Sequence, residues 1–300
     1  MMRKKSLENL NKDNIKILVC CHKPCALPPN SDGIFLPIHV GAAISDVDMG
    51  MQRDDQVNGQ PCDNISAKNR SYCELTAIYW AWKNIKKLYP GVEYIGLNHY
   101  RRFFTEKEHT AGIRFLSFKV SSLLKFALGK NVPSVFVPNK VISSSMLGKY
   151  TVLLRKTVEK GISNGKGIFC TEATRLNFGN MHDFFNVVGR ANIDFLGEAV
   201  RKTRPEYFRP FQETLASRSF CYANMFIMPY ALFCEYCEFV FAVLFAVEQE
   251  ASVQGFYVDI IQERCANRLF GYFGEILTAS FFASRSEKEI GRLGTCFVSQ

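Results

Sequence analysis

A helical pattern that runs directly into a short apolar strand pattern constrains the fold of this chain more than any other feature. In residues 71–88 apolar side chains recur at helical spacing, and the pattern stops at Pro90. Residues 93–97 then have the composition of a buried strand. A strand pattern at 15–21 and a second apolar element at 38–44 precede the helix. This alternation favours a mainly parallel sheet, so we predict one α/β domain with a helical C-terminal half.

The remaining patterns fit a single domain. Ser71 and Glu74 have the spacing of a capping box at the start of the helix. We divide the chain into a flexible N-terminus at 1–14, a domain at 15–283 and a polar, loose tail at 284–300. The other predicted elements are a loop at 46–65, a basic apolar helix at 114–130, a strand at 134–138, an irregular or partly helical stretch at 149–166, a helix at 192–202, a strand at 220–228, a helix at 230–248, and a mostly helical stretch at 258–282 with a break at 271–274.

Charge and composition restrict the partners and the compartment. The net charge of +9 favours anionic partners, such as anionic lipid or a phosphorylated substrate. The sequence contains no helix-turn-helix, zinc-finger or aromatic RNA-binding motif, so we predict no nucleic-acid partner. The N-terminus has no apolar run behind its basic start, and no uninterrupted apolar stretch reaches membrane-spanning length. We therefore expect a cytoplasmic protein, in which the eleven cysteines are reduced and act as small core side chains.

A histidine and two arginines follow the predicted strand at 93–97. His99, Arg101 and Arg102 come just past its C-terminal end, which is where open α/β sheets bind ligands. Paired guanidinium groups suit a diphosphate, because each offers a planar fork to phosphate oxygens. The alternative is a surface loop with two solvated arginines. Neither a phosphate-binding loop nor a dinucleotide-binding glycine word is present, which argues against those nucleotide enzymes.

A set of short motifs is spread along the chain. They are His22-Lys23, Val40-Gly41-Ala42-Ala43, Asp63-Asn64-Ile65-Ser66, Glu74-Leu75-Thr76, Trp82-Lys83-Asn84, His99-Tyr100-Arg101-Arg102, His182, Pro205-Glu206-Tyr207, Asn224-Met225-Phe226-Ile227-Met228, and Gly271 with Glu275. Together these motifs resemble a bacterial capsular and exopolysaccharide glycosyltransferase family that is catalogued as a domain of unknown function. The resemblance covers roughly residues 16–283.

The resemblance implies a single-domain, Rossmann-like nucleotide-sugar glycosyltransferase fold of the GT-A-like type. It also implies a sugar transfer, of the hexosyltransferase class, from a nucleotide-sugar donor to a glycan or lipid-linked oligosaccharide acceptor in capsular, exopolysaccharide or O-antigen biosynthesis. The alternative is a non-catalytic binding or scaffold protein of a surface-polysaccharide assembly. The donor-binding residues carried over are His22, Val40, Gly41, Asp63, Asn64, Ser66, Lys83, His99, Tyr100, Arg101, Arg102 and Asn224. For Asn224, a sugar contact and a turn role both stay open.

Sugar transfer also requires a base and a means of neutralising the diphosphate. Glu275 is the first candidate for the base, with Asp259 and Asp183 as alternatives. Many transferases of the implied fold hold Mn²⁺ or Mg²⁺ with an Asp-x-Asp motif. In this chain that motif occurs only at residues 46–48, which come early in the sequence and lie in a predicted loop. Because the expected strand end carries the His99–Arg102 word instead, we favour metal-independent neutralisation by the arginines, with His99 as an optional metal ligand.

The basic apolar stretch at 114–130 has two interpretations. It could be an amphipathic helix packed on the domain, or it could rest on an anionic membrane surface. Lipid-linked acceptors are found at that surface. The second interpretation therefore predicts a protein that is peripheral on the inner face of the plasma membrane.

Overall fold

A computed structural model describes residues 13–27, 33–106, 116–121, 135–136, 139–177, 179–221, 223–254 and 267–298. The predicted flexible segment at 1–14 falls outside these ranges except at its last two residues. The predicted helix at 114–130 is described only at 116–121, where it is helical.

A mixed β-sheet forms the centre of the molecule. Within the described residues it contains nine strands, which are β1 (Ile15–Cys21), β2 (Phe35–His39), β3 (Gln52–Arg53), β6 (Tyr94–His99), β7 (Arg102–Thr105), β9 (Asn139–Ile142), β10 (Ile168–Thr171), β13 (Phe226–Pro229) and β14 (Ile290–Val298). Their order is β13-β10-β14-β7-β6-β1-β2-β3, with β9 beside β14 and an additional pairing of β13 with β6. The short strands β4 (Gln56–Val57) and β5 (Gln60–Pro61) pair with each other, and β8 (Val135–Phe136), β11 (Thr174–Leu176) and β12 (Ser219–Phe220) form a small separate sheet.

The strand β1 is central because apolar side chains cover both of its faces. All seven of its residues are buried, as expected for a parallel strand with both faces packed. Leu18 and Cys20 belong to the larger apolar core, whereas Ile17 and Val19 belong to a second core on the opposite face. β1 is parallel to both β2 and β6, so the carboxyl ends of these three strands lie at one edge of the sheet. This arrangement agrees with the predicted parallel unit.

The helices pack on the sheet or on one another. They are α1 (Asn69–Tyr72), α2 (Leu75–Leu88), α3 (Leu147–Ser163), α4 (Met181–Phe185), α5 (Arg190–Thr203), α6 (Phe208–Ala216), α7 (Tyr230–Gln254) and α8 (Leu269–Ala283). The stretch at 149–166 is therefore largely a regular helix. The predicted loop at 46–65 contains β3, β4 and β5.

The helix predicted at 71–88 is broken at Cys73. This residue has φ 51° and ψ −130°, which no helix contains, and it separates α1 from α2. Ser71 lies inside α1, and Glu74 takes the N-cap position of α2 without a side-chain cap bond. The predicted capping box is therefore wrong, because the break comes two residues later than the sequence pattern indicates.

The C-terminal elements also differ from the predictions. The helix α8 continues without a break through Gly271 and Gly274, because these glycines allow close packing rather than ending the helix. A Cβ on Gly274 would lie 2.8 Å from Leu75 Cδ1. The predicted strand at 220–228 is divided by a turn at Ala223 and Asn224, whose φ angles are 67° and 53°.

The predicted loose tail at 284–300 is wrong for most of its length. Residues Ile290–Val298 form β14, which is parallel to β10 and β9 and antiparallel to β7. Its burial comes from these long-range pairings, which no local pattern reveals.

Among the residues that the structure describes, one helix is long and apolar enough to span a membrane. By length and mean hydropathy the stretch Tyr230–Ala251 in α7 meets this criterion, although Glu235, Glu238, Glu248 and Glu250 interrupt its apolar sequence. Half of the stretch is buried inside the protein, and α7 packs against α2, α5 and α8. The core helix of a soluble protein meets the same criterion.

Candidate functional site

A cleft of about 610 Å³ opens at the carboxyl ends of β1, β2 and β6. His22 follows β1, Val40 follows β2, and His99 ends β6, so the topology of the sheet brings the three residues together. The residues that line the cleft are Cys20, His22, Val40, Asn69, Arg70, Cys73, Glu74, His99, Tyr100, Arg101, Arg102, Phe184, Ala223, Arg268, Tyr272, Glu275 and Phe297.

The His99–Arg102 segment forms a tight turn between β6 and β7. His99 pairs with Arg102 across the turn, and the Tyr100 N–H donates to the Cys20 carbonyl at 3.0 Å. The Arg101 guanidinium lies 4.8 Å from the centre of the Tyr100 ring and 5.1 Å from that of Phe297. These aromatic contacts orient Arg101, and its buried Nε has no hydrogen-bond partner among the described residues.

The peptide group of Ala223 contacts two ionisable side chains of the cleft. His99 Nε2 lies 2.6 Å from the Ala223 carbonyl oxygen, and the Ala223 N–H donates to Glu275 Oε2 at 3.3 Å. Because a carbonyl only accepts, the His99 proton is on Nε2. Burial lowers the pKa of His99, which favours the neutral ring and leaves Nδ1 as an acceptor.

Glu275 and Glu74 form the acidic part of the cleft. Burial, and then the charge of Glu74, raise the pKa of Glu275 to about 7, against the opposing effects of Arg102 and Arg268. A carboxyl group with this pKa can take up or release a proton near neutral pH. Glu275 therefore has the protonation behaviour of a general base.

A chain of hydrogen bonds through Asn224, Thr278 and Tyr236 holds the Glu74 side chain. Asn224 Nδ2 donates to Glu74 Oε1 at 2.8 Å, and the Thr278 hydroxyl donates to Asn224 Oδ1 at 2.7 Å. The Tyr236 hydroxyl lies 2.8 Å from Thr278 Oγ1. Asn224 does not line the cleft. The structure thus gives it a turn conformation and a contact with Glu74, and its predicted sugar contact stays a prediction.

Positive charge dominates the cleft. Among the residues that the structure describes, its lining contains the arginines 70, 101, 102 and 268 but only the glutamates 74 and 275. Arg268 Nε donates to Cys73 Sγ at 3.4 Å, and burial followed by the Glu74 charge raises the pKa of Cys73 to about 11. The thiol is therefore neutral near pH 7, and the cleft is suited to an anionic ligand.

Several predicted donor-binding residues lie outside the cleft lining. Asp63 accepts a hydrogen bond from the Tyr79 hydroxyl at 3.0 Å, and Asn64 Oδ1 accepts from the Ser66 N–H at 3.0 Å. The Lys83 ammonium lies 3.3 Å from the centre of the Trp82 ring. These side chains make local contacts, and their contacts with a donor stay predictions.

The turn after β2 is held by a residue that the sequence analysis did not single out. Asp54 is buried and accepts from the N–H groups of Gly41 at 2.8 Å and Ala42 at 3.0 Å, and also from the Ser66 hydroxyl. Gly41 has φ 71°, and a Cβ there would lie 2.8 Å from Asn69. Gly41 thereby allows Asn69 to approach the cleft edge.

The alternative bases are not part of the described cleft. Asp183 completes a capping box with Asn180 at the start of α4 and pairs with Arg190 at 2.8 Å. Asp259 lies outside the described residues. Asp48 of the Asp-x-Asp word accepts from the Gly50 N–H at 2.9 Å. Within the described part of the chain, no group of three or more His, Cys, Asp or Glu side chains could hold a metal ion.

The cleft contains residues that the sequence analysis did not assign to it. Glu74 belongs to one of the family words, but its spacing indicated only a helix start. Arg268 falls in a stretch read as helical, where no signal distinguishes a ligand-facing arginine. The others are Cys20, Asn69, Arg70, Cys73, Phe184, Ala223, Tyr272 and Phe297.

Comparison with known proteins gives a family and a fold. The model of a family described as a domain of unknown function, DUF4422, matches residues 16–286. A solved structure described as the apo form of the bifunctional glycosyltransferase WbbM is similar, with a TM-score of 0.71 and 24% sequence identity. The similarity covers 96% of this chain and 46% of that one, so this chain spans about half the length of WbbM. No curated protein matches. At this identity the similarity establishes a shared α/β fold.

Proposed function

The chain belongs to the DUF4422 family, and we propose that it is a glycosyltransferase that moves a sugar from a nucleotide-sugar donor to a glycan or lipid-linked acceptor. The observation that carries the proposal is one cleft that contains both clustered arginines and a glutamate with a pKa of about 7. Sugar transfer needs cationic groups for the departing diphosphate and a base for the acceptor hydroxyl. The fold shared with WbbM, described as a bifunctional glycosyltransferase, supports the same conclusion.

The donor binds with its nucleoside at the carboxyl ends of β1 and β2, beside His22 and Val40, in a Rossmann-like, GT-A-like domain. Its diphosphate meets Arg101 and Arg102. A guanidinium group stays protonated at every physiological pH and can donate two parallel hydrogen bonds to phosphate oxygens. Arg70 and Arg268 add positive charge to the same cleft. These fixed cations neutralise the leaving diphosphate without a requirement for Mn²⁺ or Mg²⁺.

Glu275 acts as the base. Its carboxylate takes the proton of the acceptor hydroxyl while the hydroxyl oxygen forms a bond to the anomeric carbon of the donor sugar. The bond from that carbon to the diphosphate breaks, and the leaving oxygen carries its electron pair to the arginines. A single displacement of this kind inverts the anomeric centre. The Ala223 N–H, 3.3 Å from Glu275 Oε2, orients the carboxylate.

The setting of the reaction is surface-polysaccharide biosynthesis on the cytoplasmic face of the membrane. The product is a capsular, exopolysaccharide or O-antigen glycan to which a hexosyl residue has been added. The net charge of +9 favours a peripheral position on anionic lipid, where lipid-linked acceptors are found.

A donor screen by isothermal titration calorimetry tests the proposal. Common nucleotide sugars are titrated into the protein with EDTA and, separately, with Mn²⁺. We expect one donor to bind in both conditions. Arg101→Ala should weaken that binding by about 10- to 100-fold, because a charge-assisted hydrogen bond contributes about 1.5–3 kcal/mol.

A matched variant separates the role of Arg101 from a general loss of charge. Arg209 lies on α6 with an 87% exposed side chain and an ion pair to Glu213. Arg209→Ala removes the same charge and should leave donor binding unchanged. If no nucleotide sugar binds in either condition, the transferase proposal fails in favour of a scaffold function. If binding requires Mn²⁺, metal-independent neutralisation is wrong.

A further inference from the structure

Two cysteines, Cys170 and Cys221, lie outside the cleft lining and have no role in the proposed sugar transfer. Cys170 lies in β10 and Cys221 in the segment between β12 and β13, and their sulfur atoms are 3.3 Å apart. Both residues are buried, with 0% and 7% of their surfaces exposed. Cys221 also lines a cavity of about 240 Å³ with Thr214, Ser217 and Arg292.

An arginine contacts both sulfur atoms. Nη1 of Arg292 lies 2.8 Å from Cys221 Sγ and 3.2 Å from Cys170 Sγ, while Nη2 contacts Glu287 at 2.9 Å. A guanidinium group can only donate, so the nearer sulfur is best matched to it as a thiolate. The hydrogen bond with Cys170, and then Arg292, lower the pKa of Cys221 against the effect of burial. Burial raises the pKa of Cys170, which keeps its proton.

We propose that Cys170 and Cys221 are a modification site at which a hydroperoxide forms a reversible disulfide that displaces the Ala223 turn. The Cys221 thiolate attacks the hydroxyl oxygen of the hydroperoxide, the O–O bond breaks, and the sulfenic acid of Cys221 forms as hydroxide or an alkoxide leaves and takes a proton from solvent. The Cys170 sulfur then attacks the Cys221 sulfur, and the displaced hydroxide leaves as water with the proton of Cys170. Two thiols lose two electrons, and the hydroperoxide gains them.

The disulfide connects this site to the cleft through the backbone. Bonded sulfur atoms are about 2.05 Å apart, so the two sulfurs must approach by roughly 1.3 Å. Cys170 is held between two strands, with Phe226 and Arg292 as its register partners. The movement therefore falls mainly on the segment that contains Cys221. Two residues later that segment contains Ala223, whose peptide group contacts His99 and Glu275.

Peptide mapping after oxidation tests the modification. The reduced, full-length protein is treated with hydrogen peroxide, alkylated with N-ethylmaleimide, digested and examined by mass spectrometry. We expect a Cys170–Cys221 cross-linked peptide that dithiothreitol removes. In Cys170→Ser, the oxidation should stop at a Cys221 sulfenic acid, which dimedone traps. Arg292→Gln should slow the reaction several-fold.

The Cys234 and Cys237 pair in α7 is the internal control. Burial raises the pKa of both thiols, so peroxide should react with them more slowly. A Cys170–Cys221 peptide that does not form, or that forms no faster than a Cys234–Cys237 peptide, would overturn the proposal.

Hydrogen–deuterium exchange tests the connection to the cleft without reference to any catalytic activity. Amides of residues 223–229 should exchange faster in the oxidised protein than in the reduced protein. The same treatment of Cys170→Ser should cause no change. Equal exchange in the oxidised and reduced protein would show that the disulfide does not displace the turn. These results are independent of donor binding, so failure of the transferase proposal would leave them unaffected.

Discussion

On its basic side the cleft takes Arg101 and Arg102 from adjacent positions in one turn, whereas on its acidic side it assembles Glu74, Ala223 and Glu275 from three distant segments. Arg101 and Arg102 need only the β6–β7 turn to form, whereas Arg70 comes from α1 and Arg268 from the residue before α8. The carboxylate side needs α8 to pack against α1 and α2, and the turn before β13 to adopt two successive positive φ angles. Binding of an anion and activation of a hydroxyl should therefore respond to different mutations.

The largest difference between the effect on the transfer rate and the effect on donor affinity is expected from Glu275→Gln. The amide cannot accept the acceptor proton, so the transfer rate should fall by about 10²- to 10⁴-fold, the usual contribution of a general base. Donor affinity, measured by calorimetry, should change little because the arginine side is intact. A variant that retains more than a tenth of the rate would exclude Glu275 as the base.

A smaller effect is expected from Glu74→Gln, measured as the pH profile of kcat/KM. With Glu275 as the base, activity should rise with pH through about 7. The charge of Glu74 raises the pKa of Glu275, so its removal should move the acid limb to lower pH, by about one unit or less. Glu213→Gln, on the surface with a 54% exposed side chain, should leave the profile in place. If the acid limb of the kcat/KM profile stays at the same pH in Glu74→Gln, the two carboxylates do not interact.

Gly274→Ala tests the helix packing that brings Glu275 to Glu74. The new Cβ would lie 2.8 Å from Leu75 Cδ1, and overpacking of this kind costs about 1–3 kcal/mol, partly offset by better helix propensity. We expect the free energy of unfolding in urea to fall by about 1 kcal/mol, with the rate reduced more than donor affinity. At Gly167, where a Cβ would meet nothing within 4 Å, alanine should be neutral. A stable Gly274→Ala variant would show that Leu75 moves freely.

The smallest effect is expected from Asp183→Ala. This change removes a capping box and an exposed ion pair with Arg190, at a cost of about 0.5–1 kcal/mol in thermal unfolding. Transfer should continue at the parent rate because Asp183 does not line the described cleft. A loss of a hundredfold or more would instead identify Asp183 as the base.

The same contrast explains how far the sequence could predict the structure. β1, the helix α2 and the strand β6 have periodicities set by their own residues, and the His99–Arg102 turn follows from its position after β6. The break at Cys73, the turn at Ala223 and the burial of β14 depend on partners far away in the chain. Glu275 was found through a family word, whereas Arg268 and the role of Glu74 needed the packing of α8.

The contacts of Ala223 have a consequence for how this site can evolve. Its main-chain N–H and carbonyl groups contact Glu275 and His99, and no substitution except proline, which lacks the N–H, can delete a main-chain group. The requirement at this position is a backbone shape, φ 67°, which glycine or asparagine adopts as readily as alanine or more so. Related chains can therefore differ in the residue type at position 223 while retaining the same main-chain contacts, and an alignment would understate the importance of this residue.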